Sequence, residues 1–268
     1  MKTIFITGAS SGLGKAAVKL FAAKGWRVIA TMRKPEQERE LMNIRNVTLL
    51  PLDVTDPEQI QETAEKAIAS ARIDVVFNNA GYGLMGPLEA TTDPQIIRQI
   101  ETNLLGVIRV TRAFIPHFRK NEGGLFVTTT SIGGLTAFPF ATLYHATKWA
   151  LEGFSESLSF ELKRFGIGVK TVSPGGIGTD FAGRSMDLAR HEAYQGAFDK
   201  MMTGAFGEGS VFHFSTPEAI AEVVYDAATD GRDQLRYTAG PDAAALYGRR
   251  LEIGAEAFRK ELGQALLG

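Results

Sequence analysis

Short, uninterrupted apolar runs alternate with helical stretches from one end of the chain to the other. Nothing else in the sequence constrains the fold as strongly. Thr3 to Thr7 reads as a first strand, Arg27 to Met32 as a second, Val47 to Leu50 as a third and Val75 to Asn78 as a fourth. Leu125 to Thr130, Gly168 to Val172 and a short Leu235 to Thr238 supply three more. Helical periodicity occupies 12–24, 57–71, 94–119, 143–165, 216–229 and 241–265. Strands that are apolar throughout are buried on both faces, so the pattern predicts a parallel sheet covered by helices on either side. The 268 residues show no linker, repeat or low-complexity tract. The expectation is an α/β fold, one doubly wound domain over 1–268 on a seven-stranded, mostly parallel sheet.

One segment, about 180–215, breaks the rhythm. Its periodicity is weak, its glycines are scattered, and it holds Phe181, Met186, Phe198, Met201, Met202, Phe206, Phe212 and Phe214. Irregular inserts of this length are often lids or binding loops, the reading favoured here. The plainer alternative is a pair of surface helices packed on the core.

Composition excludes several function classes. Lysine and arginine number 29 against 30 acidic residues, a net charge of −1, so no global field draws nucleic acid or an anionic membrane. Cysteine is absent, which removes disulfides, thiolate metal sites and a cysteine nucleophile. The four histidines, His117, His145, His191 and His213, form no paired metal motif and read as helix-face or loop residues, so no metal is expected. Met1-Lys2 runs straight into a strand and no apolar run reaches membrane length, so a cytoplasmic protein is expected.

The first strand turns into the first helix through Thr7-Gly8-Ala9-Ser10-Ser11-Gly12-Leu13-Gly14. Glycines there allow a tight turn and close approach of backbone to a pyrophosphate, while the helix N-terminus offers amide donors. The end of the second strand should lie beside the adenosine ribose. It carries Arg33, and no acid follows until Glu36. A guanidinium can pair with a 2′-phosphate, so Arg33 points to NADP(H) ahead of NAD, and Ser11 could add a hydrogen bond. Asp53, followed by Val54, is placed to accept from the adenine amino group. It could equally cap the next helix, although Asp56 before Pro57 is the better cap.

Tyr144 and Lys148 stand four apart, on one face of a predicted helix, and Ser131 lies thirteen positions before the tyrosine. A nearby ammonium lowers a phenol's pKa, as a general acid/base near neutral pH requires.

Together these residues resemble the short-chain dehydrogenase/reductase family in its compact single-domain branch, with a Rossmann-type fold. The family's glycine motif matches Thr7 to Gly14, and its Asn-Asn-Ala-Gly motif matches Asn78, Asn79, Ala80 and Gly81. Its helix asparagine matches Asn103, its catalytic trio matches Ser131, Tyr144 and Lys148, and its Pro-Gly motif matches Pro174-Gly175, with Thr179 following. The resemblance implies hydride transfer between NADP(H) and a small-molecule carbonyl or alcohol, with Tyr144 moving the proton. Ser131 would bind the carbonyl oxygen, and Lys148 would bind the nicotinamide ribose and keep the phenol's pKa low. Asn103 would hold a water in a proton relay, and Gly175, Ile177 and Thr179 would contact the nicotinamide end. It also implies a homodimer or homotetramer built on the helices at 94–119 and 143–165, where Phe154, Leu158 and Leu162 suit either an interface or packing on the sheet. The apolar insert, Leu84 to Leu88, and Phe138-Pro139-Phe140 suggest an apolar substrate. A competing reading is an NADP-binding sensor without turnover, which would need only the glycine turn and Arg33.

Overall fold

Nine strands form among the described residues of the computed structural model, which are 1–178, 186–207 and 210–268, the side chain of Phe206 excepted. They are β1 (Thr3–Ile6), β2 (Arg27–Met32), β3 (Val47–Pro51), β4 (Val75–Asn78), β5 (Gly83–Met85), β6 (Gly124–Thr129), β7 (Ile167–Pro174), β8 (Met186–Leu188) and β9 (Arg236–Ala239). Seven make one sheet in the order β3-β2-β1-β4-β6-β7-β9, and each neighbouring pair runs parallel. From β1 the chain builds outward to β3, then returns across β1 to lay β4 on its other side. A cleft opens at such a reversal, beyond the carboxyl ends of the strands.

Nine described helices surround this sheet: α1 (Gly12–Ala23), α2 (Pro57–Ser70), α3 (Asp93–Ile100), α4 (Gly106–Lys120), α5 (Thr142–Lys163), α6 (Gln195–Phe206), α7 (Pro217–Thr229), α8 (Pro241–Ile253) and α9 (Ala255–Leu267). Ile4 and Ile6 of β1 face α1 and α7, packing with Phe21 and Val224, while Phe5 between them faces α2, α4 and α5. Both faces of the strand are buried, which explains its uninterrupted apolar run. A third cluster joins α6, α8 and α9 to the loop before α5 through Phe198, Met201, Phe258 and Leu262.

Three elements differ from the sequence expectation. The helix predicted over 94–119 is interrupted by a π turn, Glu101–Leu105, between α3 and α4. There Gly106 packs so closely on the backbone of Val54 that a Cβ would lie 2.9 Å from its carbonyl oxygen. The helix predicted over 241–265 breaks at Gly254, whose φ of 81° ends α8 and starts α9. The 180–215 insert is regular over much of its described part: β8 pairs with β5, and α6 packs on α9. Phe181 lies outside the described residues.

Leu158 and Leu162, weighed as interface residues, are core residues beneath the sheet, and Phe154 is half-buried against the same cluster. The exposed aromatics of α5 are Phe160, at 74% exposure, and Trp149, at 42%.

Candidate active site

The turn after β1 is held open by glycine. Gly8 has a φ of 67°, and a Cβ on it would lie 2.7 Å from the Cα of Ala80. A Cβ on Gly14 would lie 2.2 Å from the Gly8 carbonyl oxygen. Side chains then tie this turn to the end of β4. Thr7 Oγ1 accepts from the backbone amides of Asn79 and Ala80, each at 3.0 Å, and Asn79 Nδ2 donates to the carbonyls of Thr7 and Gly8 at 3.1 and 3.2 Å.

Above this turn lies a cavity of about 810 Å³. One end is lined by Gly8, Ser10, Ser11, Gly12, Leu13, Arg33, Asp53, Val54, Asn79, Ala80 and Gly81. The other end is lined by Ser131, Tyr144, Lys148, Pro174, Gly175 and Ile177. Gly14 lies beneath the turn rather than on the wall, and Thr179 falls outside the described residues. The cavity also exposes Lys15, Lys19, Tyr82, Arg98 and Glu101, which the sequence reading missed. Lys15 and Lys19 do share a face of α1 beside Arg33, a spacing visible in the sequence. Lys15 pairs with Glu38 at 3.1 Å and Glu40 at 3.0 Å, and Lys19 pairs with Glu40.

Asp53 does not cap α2. Its Oδ1 accepts from Thr55 N at 3.0 Å and Thr55 Oγ1 at 2.7 Å, while Asp56 takes the cap, accepting from Glu58 N and Gln59 N at 3.0 Å.

Ser131 follows β6, and its Oγ accepts from Gly133 N at 3.0 Å. Tyr144 and Lys148 lie one turn apart on α5, with the ammonium 5.8 Å from the phenol ring centroid. Lys148 Nζ donates to the Thr129 carbonyl at 2.8 Å. Burial pushes its pKa down to about 8, against the pull of Glu152 one turn further on. Where lysine was expected to lower the Tyr144 pKa, burial instead raises it, opposed by a hydrogen bond with Ser131.

Asn103 is buried in the π turn, away from the cavity wall. Its Oδ1 accepts from Tyr82 N at 3.0 Å and its Nδ2 donates to Tyr82 O at 2.7 Å. The side chain that the resemblance assigns to a water is thus committed to the backbone of Tyr82.

The apolar wall comes from Met85, Ile132, Phe138, Met186, Met201, Phe212 and Phe214. Leu88 instead faces solvent, and Phe198 is core. No described helix is long and apolar enough to cross a membrane.

A doubly wound parallel sheet with such a cleft at its point of reversal defines a Rossmann-type fold, and the cleft is where folds of this kind bind nucleotides. The model of the short chain dehydrogenase family matches residues 2–188, and the chain belongs to that family. It is 38% identical over 253 residues to the oxidoreductase YusZ of Bacillus subtilis, covering 89% of each protein. Among solved structures it is similar to a short-chain dehydrogenase from Streptomyces avermitilis, with 33% identity, a TM-score of 0.86, and coverage of 97% of this chain and 94% of that one. It is also similar to ElxO with NADP bound, with 29% identity, a TM-score of 0.74, and coverage of 88% of this chain and 97% of that one.

Proposed function

We propose that the protein interconverts a carbonyl and an alcohol on a substrate with an apolar body, using NADP(H). The reading rests on one observation: Ser131, Tyr144 and Lys148 line the same cavity as a glycine turn with no room for side chains at Gly8 and Gly14. That turn fits a pyrophosphate, because close backbone approach at a helix N-terminus suits an anion. Arg33 at the adenosine end supports NADP(H), and so does the NADP bound by ElxO.

A bound nicotinamide supplies or accepts the hydride. Tyr144 gives a proton to the substrate oxygen in reduction and takes it back in oxidation. Ser131 donates to that oxygen and stabilises charge as it develops. Lys148, already bonded to Thr129, orients the ribose and places positive charge beside the phenol. Asn103 shapes the π turn by holding the backbone of Tyr82. Met85, Phe138 and Phe212 exclude water from the reacting end and favour ketones, aldehydes or secondary alcohols with apolar bodies.

The test is the initial rate of NADPH and NADH consumption across aldehydes and ketones of increasing apolar size, followed by the alcohol direction. Turnover that favours NADPH and rises with apolar size is expected. Cofactor binding with no turnover in either direction would favour a sensor.

A further inference from the structure

Ser131 and Tyr144 sit on separate elements, and their spacing depends on the loop between them. His145 lies next to Tyr144 but turns into the protein, where only 6% of it is exposed. Its Nδ1 lies 2.6 Å from the Gly133 carbonyl oxygen, and its Nε2 accepts from the Phe138 backbone amide at 3.1 Å. A carbonyl only accepts and an amide N–H only donates. The two contacts together therefore require the neutral imidazole with its proton on Nδ1. Burial favours the same neutral form by pushing the imidazole pKa down.

Each end of this bridge reaches the cavity. The amide of Gly133 donates to Ser131 Oγ at 3.0 Å, so a held Gly133 is a held hydroxyl. Phe138 lines the apolar wall, edge-on to the His145 ring at 4.2 Å and to Phe212 at 5.4 Å. The fit leaves no slack: a Cβ on Gly133 would lie 3.0 Å from the imidazole and 3.2 Å from Tyr144 Cε1.

We propose that His145 is a positioning residue, a neutral imidazole clamp that holds the Ser131 turn and the Phe138 wall in register with Tyr144. The catalytic part of this rests on the reading of Ser131 and Tyr144 as the reacting pair. The clamp itself rests on geometry alone.

The test uses wild type, His145→Phe, which keeps a ring without nitrogens, and His145→Gln, which keeps one donor and one acceptor. Nitrogen-15 imidazole spectra of the wild type should show protonated Nδ1 and bare Nε2. Amide exchange over 132–142 should quicken in His145→Phe and recover in His145→Gln. With a carbonyl that the wild type reduces, kcat should fall about tenfold or more in His145→Phe, since small displacements of reacting groups are costly. NADPH affinity should stay unchanged, and kcat should partly recover in His145→Gln. An imidazole protonated on Nε2, or exchange and kcat in His145→Phe matching wild type, would overturn the proposal. Should His145→Phe not fold, the wild-type spectra and His145→Gln still decide. Should the wild type reduce no carbonyl, the enzyme reading fails, while spectra and exchange still judge the clamp.

Discussion

Lys148 shows how far burial and charge can oppose each other at one residue. Its folded pKa is about 8, below the 10.5 of an exposed lysine. Between those values the unfolded chain binds a proton that the folded chain does not, so the stability contributed by this group rises with pH across that window. Below about 8 both states are protonated, and the full cost of burying the ammonium remains, on the order of 3 kcal/mol. Burial raises the pKa values of Tyr82, Tyr144 and Tyr237, which acts in the opposite sense above the ordinary phenol range. Denaturation of the cofactor-free protein from just below pH 8 to pH 9.5 should therefore show stability rising in wild type and flat in Lys148→Met (window set by the folded value and about one unit below the exposed one). Parallel curves would refute it. Tyr144→Phe should lower turnover by about three orders of magnitude, as loss of a general acid/base does, with NADPH binding nearly unchanged. Arg33→Asp should move preference toward NAD, and an unchanged NADP/NAD ratio would show that Arg33 does not read the 2′-phosphate. That Ser131, Tyr144 and Lys148 would share one cavity was legible because Tyr144 and Lys148 stand one helical turn apart and Ser131 belongs to a matching motif. The rise in the Tyr144 pKa and the burial of His145 were not legible, because desolvation depends on what the fold brings over them.

At the scale of elements, starts with strong local chemistry read true. Asp56 and Pro57 announce α2, and the cap forms as expected. Asp56→Ala should cost about 1 kcal/mol in urea denaturation and leave cofactor affinity alone. Loss of cofactor binding would mean that Asp56 serves the cleft instead. The break at Gly254 has its mark in the sequence, a glycine within a long helical pattern. The π turn had no such mark. It forms where Asn103 reaches Tyr82 and Gly106 meets Val54, contacts between residues far apart in the chain. The pairing of β5 with β8 is long-range in the same way.

At the scale of the whole molecule, the C-terminal helix α9 backs the apolar wall of the cavity without lining it. Met201 and Phe212 line the wall and belong to the same buried cluster as Phe258, Leu262 and Leu266 of α9. Phe258→Ala should lower stability by about 3–5 kcal/mol, as buried Phe truncations do. It should also raise KM for apolar carbonyls while NADPH affinity holds, since the glycine turn lies on another part of the sheet. An unchanged KM would separate α9 from substrate binding. The parallel sheet, the glycine turn and the Tyr144 and Lys148 spacing were decided by the sequence alone, because strand period, turn chemistry and one helical turn depend on residues close along the chain. The cavity wall, the direction of each pKa shift, the π turn and the orientation of His145 were decided only by tertiary structure. Each depends on which distant atoms exclude water from a group or supply its hydrogen-bond partner.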